Sequence, residues 1–110
     1  MNFNKVHHIA IICSDYPKSK LFYTTTLVGT IIKETYRAER NSYKLVISIA
    51  GSQIEVFSFP NPPTRASNPE ACGLRHLALR VADMQARVAL LAAHGVAVEP
   101  VRVDPFTGAL

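Results

Sequence analysis

Cysteine is scarce in this sequence. Cys13 and Cys72, the two present, are too few and too far apart for a disulfide framework or a clustered zinc site. Both are expected to stay reduced. Cys13 lies in an apolar strand as part of the core, and Cys72 lies in a Pro/Gly-flanked loop with nothing nearby to activate its thiol. No apolar run approaches the length of a bilayer span, and the opening Met1-Asn2-Phe3-Asn4-Lys5 is too polar to begin a signal peptide. A cytoplasmic protein with no membrane partner is expected. Charge is sparse too: 18% of residues, with a net charge of +4. No basic patch is interleaved with aromatics, which argues against a nucleic-acid partner. Lys33, Arg37, Arg40 and Lys44 do fall in one stretch. A solvated strand end and turn is the commoner reading of such a cluster, and a face for an anionic ligand is the other.

Apolar residues are what the chain has in quantity, 48% of 110. That supports a real core and argues against disorder. The length fits one domain, and a core this small favours an oligomer, here a homodimer.

The chain repeats itself. Val6-His7-His8-Ile9-Ala10-Ile11-Ile12-Cys13-Ser14-Asp15 matches Leu74-Arg75-His76-Leu77-Ala78-Leu79-Arg80-Val81-Ala82-Asp83. Each is a β-rich run ending in an aspartate suited to cap a helix. Helical stretches follow, about Pro17 to Leu27 and Met84 to His94, with His94 placed to cap the end of the second. Gly29 and Gly95 stop them. Strands then run from Thr30 to Tyr36 and from Ala97 to Val103. The first copy adds strands at about Tyr43 to Ala50 and Ser52 to Phe59, joined by a tight Ala50-Gly51 turn. The expected fold is α+β in one domain, 1–110. It comprises a β-α-β-β-β module at about 4–60, a proline-rich linker at about 60–73, and a second module at about 74–110 cut short to β-α-β.

Strand alternation sorts the side chains by face. Ile9, Ile11 and Cys13 share one face, and His8, Ala10 and Ile12 the other. Leu77, Leu79 and Val81 likewise oppose His76, Ala78 and Arg80. In the strand after Gly51, Ile54 and Val56 join the apolar face that packs on helix, whereas Gln53, Glu55, Phe57 and Phe59 join the histidines. Two imidazoles and a carboxylate on one concave face make a divalent-metal set of His8, Glu55 and His76. Taken singly, a strand histidine is more often a surface or hydrogen-bonded residue than a ligand, and Glu55 alone could be a solvent-side residue. Recurrence of the histidine at the same place in both copies favours ligation. His7 falls on the opposite face and is the weaker candidate.

These residues resemble the vicinal oxygen chelate superfamily, home of glyoxalase I, bleomycin-resistance proteins, fosfomycin-resistance enzymes and extradiol dioxygenases. Val6-His7-His8-Ile9-Ala10-Ile11 and Leu74-Arg75-His76-Leu77-Ala78-Leu79 resemble its two histidine-bearing strands. Gln53-Ile54-Glu55-Val56-Phe57 resembles the strand that carries its carboxylate ligand. The stretch from Phe57-Ser58-Phe59-Pro60 through Glu70-Ala71-Cys72-Gly73-Leu74-Arg75-His76 is similar to small bacterial glyoxalase-like proteins. The resemblance runs from about Lys5 to Thr107 and implies paired modules forming a curved mixed sheet, the glyoxalase-like cup. It implies a second glutamate as fourth ligand and proton carrier. With a repeat offset of about 66 to 68 residues, the counterpart of Glu55 falls about a dozen residues past Leu110, as do the module's last two strands.

The expected function is a metal-dependent lyase or isomerase acting on a small oxygenated substrate. Zinc, nickel, manganese, cobalt or iron(II) would stabilise an enediolate as a Lewis acid. Arg37, Phe57, Phe59 and Arg80 are the candidate substrate contacts, with Arg40 a further cation, and no residue is assigned as the catalytic base. The alternatives are a metal-free, ligand-sequestering protein of the bleomycin-resistance type, with Phe57, Phe59 and Tyr36 lining its cleft, and a non-catalytic remnant.

Overall fold

A computed structural model describes residues 2–102. The chain divides into two compact units, Met1–Leu77 and Ala78–Leu110. The first holds a four-stranded open sheet made of β1 (His8–Cys13), β2 (Thr30–Arg37), β3 (Ser42–Ile49) and β4 (Ser52–Ser58). The strand order is β1-β4-β3-β2. β1 runs parallel to β4, and the other pairs are antiparallel, so the sheet is mixed as expected. In the second unit the described regular element is the helix α2 (Met84–Ala93). Among the described residues, no helix is long and apolar enough to cross a membrane.

The core follows from alternation. Leu45, Ile47, Ile54 and Val56 are buried, and Ile11, Cys13, Tyr16, Tyr23 and Ile49 pack against them. Registers Leu45↔Val56, Ile47↔Ile54 and Ile11↔Val56 line these side chains up across three strands. Each buried aliphatic side chain contributes about 1.5–3 kcal/mol relative to exposure. Cys13 is half-buried, with its thiol donating to the Phe57 carbonyl at 3.4 Å, while Cys72 is exposed. The β3–β4 hairpin closes through Ala50 (φ 53°) and Gly51 (φ 77°). Two left-handed residues in a two-residue loop match the right-handed twist of the flanking strands.

Helix α1 (Tyr16–Leu21) starts where Asp15 accepts the Lys18 amide at 3.1 Å, with Pro17 in its first turn. Asp83 caps α2 in the same way through Ala86 at 3.0 Å, and His94 is its C-cap residue. Past Leu21 the helix widens into a π-turn, Phe22–Thr26, closed by the Leu27 amide on the Phe22 carbonyl. Gly95 takes the left-handed conformation expected after a helix (φ 75°). The first helix differs, because there Val28 carries the positive φ, 57°. Gly29 serves a different need: a Cβ on it would lie 2.5 Å from Ile47 Cγ2 and 2.8 Å from the Tyr23 carbonyl oxygen. Its bareness lets the chain enter β2 flush against the core.

Two expectations are corrected. The strands expected at Leu74 to Val81 and Ala97 to Val103 do not form among the described residues, and residue 103 lies outside them. A strand is stabilised by ladder partners, and neither segment has one there. Second, Tyr36 does not share the Phe57 face. A bulge between Ile31 and Lys33 inserts one residue into β2, which re-aims every side chain after it. Tyr36 therefore pairs with Tyr43 and packs on its ring at 4.7 Å. Tyr43 in turn stacks on Tyr16 of α1, at 4.6 Å.

On this helix-bearing face Glu34 is a polar anchor. It accepts from the Tyr16 hydroxyl at 2.5 Å and from Lys20 at 3.0 Å. The Tyr16 bond, then Lys20, hold its carboxyl below the ordinary range. Burial and the same bond push the Tyr16 phenol up.

Two predictions follow from these contacts. Gly29→Ala is expected to destabilise by about 1–3 kcal/mol through overpacking against Ile47, read as a lower urea midpoint; an unchanged midpoint would contradict the close approach. For Glu34→Gln the effect depends on pH. A depressed carboxyl stabilises fully above its unfolded value of about 4.3, and that stabilisation is lost as pH falls through the lower folded value. The variant is expected to melt slightly lower at pH 7 and to converge with the parent once pH falls below the lowered folded value. A pH-independent difference would exclude the ionised Glu34 as its source.

Candidate functional site

The face of the sheet opposite α1, the open face, exposes His8, Ala10 and Ile12. β4 is central, and its Glu55 stands opposite Ala10 of β1 and Val46 of β3. His8 pairs with Gln53, which makes it a diagonal neighbour of Glu55 on the same face. Lys44 pairs with Phe57 and is the diagonal neighbour on the other side. The Glu55 carboxylate is thus held between two strands. Oε2 is 3.7 Å from His8 Nε2, and Oε1 is 3.7 Å from Lys44 Nζ. Ala10 leaves space beside the imidazole. Glu55 is only 14% exposed, against 43% for His8, so the carboxylate is the inner member of the pair.

The His8–Glu55 separation is longer than a direct hydrogen bond. It is near the ~3.4 Å between two donors bound at about 2.1 Å to one tetrahedral ion. These two side chains therefore fit as ligands of one divalent cation. The third expected ligand does not join them. His76 lies exposed in an irregular segment, and among the described residues no group of three or more His, Cys, Asp or Glu side chains converges. The segment of His76 has no ladder partner among the described residues.

Phe57 and Phe59 stack, with centroids 6.0 Å apart and planes 7° from parallel. Arg37 and Lys44 both approach the Phe57 ring, at 6.0 and 5.8 Å from its centroid. Three of the expected substrate contacts, Arg37, Phe57 and Phe59, therefore come together. Arg80 is exposed and belongs to the second unit. Arg40 is exposed in the turn after β2.

Sequence reasoning named two further neighbours of the site, Lys44 in a cation cluster and His7 as the weaker histidine, without placing either beside Glu55 and His8. The placement of Lys44 could have been read from its parity in β3, which sets it opposite Phe57. That of His7 could not, because adjacent strand residues point to opposite faces. His7 lies just before β1, and its ring turns so that Nδ1 is 2.9 Å from His8 Nδ1.

This β-α-β-β-β unit, with a histidine and a glutamate on its open face, has known relatives. The sequence pattern of the Glyoxalase/Bleomycin resistance protein/Dioxygenase superfamily matches residues 5–110. The chain belongs to that superfamily. It is 55% identical over 109 residues to the uncharacterized protein YwkD of Bacillus subtilis, covering 98% of this chain and 85% of that one. Its fold is similar to the crystal structure of a glyoxalase family protein from Enterococcus faecalis (TM-score 0.91, 41% identity, 98% of this chain and 86% of that one). It also resembles a mutant of the fosfomycin resistance protein FosX from Listeria monocytogenes, solved with Mn(II) and 1S,2S-dihydroxypropylphosphonic acid. That likeness (TM-score 0.73, 20% identity, 98% of this chain and 81% of that one) is one of fold.

Proposed function

We propose that this superfamily member is a metal-dependent glyoxalase-like lyase or isomerase, working in the cytoplasm as a homodimer on a small oxygenated substrate. In this reading His8, Glu55 and His76 hold a divalent cation: zinc, nickel, manganese, cobalt or iron(II). The observation that carries it is the His8–Glu55 pair, whose donor atoms stand 3.7 Å apart on an open face. The Mn(II) bound by the fold relative FosX supports a metal on this scaffold, and the repeat position of His76 supports it as the third ligand.

A cation held there would supply Lewis acidity toward adjacent substrate oxygens. The chain's own groups prepare for it. Glu55 offers Oε2 while Lys44 restrains Oε1. His8 can offer the lone pair of Nε2 only when its proton sits on Nδ1, and His7 Nδ1 at 2.9 Å is placed to accept it. A hydrogen bond of this kind orients a ligating imidazole and fixes its tautomer.

Metal content is the test. Protein purified without chelator is expected to carry about one divalent ion per chain, with the ion lost in His8→Ala, Glu55→Gln and His76→Ala variants that stay folded. Metal-free protein in every preparation would overturn the reading and favour the ligand-sequestering one. Retention of the ion by His76→Ala alone would remove His76 from the set.

A further inference from the structure

The bulge in β2 has a second effect. It places Lys33 opposite Val46 and Arg37 opposite Ser42, so both join Lys44, which β3 sets opposite Phe57, on the open face. Along the four strands Glu55 is the one acidic residue on that face, because Glu34 pairs with Leu45 and is bound from the helix side by Tyr16 and Lys20. The carboxylate of Glu55 is shared between His8 and Lys44. Positive charge is in excess there.

Arg37 is the telling member. It is half-buried, yet among the described residues its guanidinium has neither a carboxylate partner nor a hydrogen-bond acceptor. Its one described partner is the face of Phe57. A ring quadrupole offsets only part of the cost of withdrawing a guanidinium from water. Its N–H fork, shaped for two oxygens of an oxyanion, stays open. The stacked Phe57–Phe59 pair offers flat aromatic surface next to it.

We infer that the open face beside Glu55 binds a small organic anion, an oxyanion head on a flat unsaturated body, with Arg37 receiving the head and Phe57–Phe59 supporting the body. This rests on the open face being the substrate face, as proposed above, and names the class of substrate it takes. Lys44 adds attraction for the head while staying near Glu55. Arg37 is a binding residue here and carries no bond-making step.

Calorimetric titration with benzoate, its neutral isostere benzamide, and inorganic phosphate tests the inference. Benzoate is expected to bind at least about tenfold more tightly than benzamide, the scale of a charge-assisted hydrogen bond, and to weaken with added salt. Arg37→Met is expected to lose about tenfold or more in benzoate affinity, with part restored in Arg37→Lys, which keeps the charge without the fork. Phe57→Leu is expected to weaken benzoate while leaving phosphate unaltered. No saturable benzoate binding, equal binding of benzamide, or full benzoate affinity in Arg37→Met would each overturn the inference. Repeating the titrations in EDTA separates the two readings: Arg37-dependent benzoate binding that survives chelation upholds the anion site even where the metal reading fails.

Discussion

The placement of Glu55, His8, Lys44 and Phe57 on the open face depends on β4 being paired on both edges. Parallel pairing with β1 and antiparallel pairing with β3 lock the register of Ser52–Ser58. Alternation then leaves no freedom: Ile54 and Val56 must enter the core for Glu55 and Phe57 to face out. A slip of one residue would bury the carboxylate and expose two core aliphatics, so the apolar packing that stabilises the unit also aims its reactive groups. The diagonal positions of His8 and Lys44 follow from the same registers.

Much of this could be read from residues alone, for stated reasons. His8 and Glu55 each sit in a short run that alternates apolar with polar, and their faces emerged as expected. Asp15 and Pro17 marked the start of α1, and Ala50-Gly51 marked the hairpin. The bulge at Ile32 was not legible, because the run from Thr30 to Tyr36 carries no glycine or other sign of an inserted residue. That single insertion moved Tyr36 to the helix face and set Arg37 on the face of Phe57. The strands expected around His76 and after Gly95 had the right composition, but composition supplies no partner edge. The His7–His8 contact depends on how a ring folds back at a strand end, which alternation does not describe.

The two halves of the site rest on different physics. His8 and Glu55 are arranged by backbone register, so their spacing is a property of the sheet. Arg37 and Lys44 instead reach the Phe57 ring with long side chains, at 6.0 and 5.8 Å from its centroid. The first half suits a cation and the second an anion, along one face. A substrate bearing both an oxyanion and adjacent oxygens would engage the two together, which is consistent with a superfamily fold that hosts several chemistries on one scaffold.

The central claim is that Glu55 and His8 form a cation-binding pair on the open face. Titrating Mn(II) into 15N-labelled protein tests it directly, because the ion's electron spin broadens nearby amide signals in proportion to closeness. The account predicts selective broadening centred on His8, Ala10 and Glu55, complete at about one ion per chain and absent in Glu55→Gln. Broadening centred on any other segment, or none at stoichiometric metal, would contradict it.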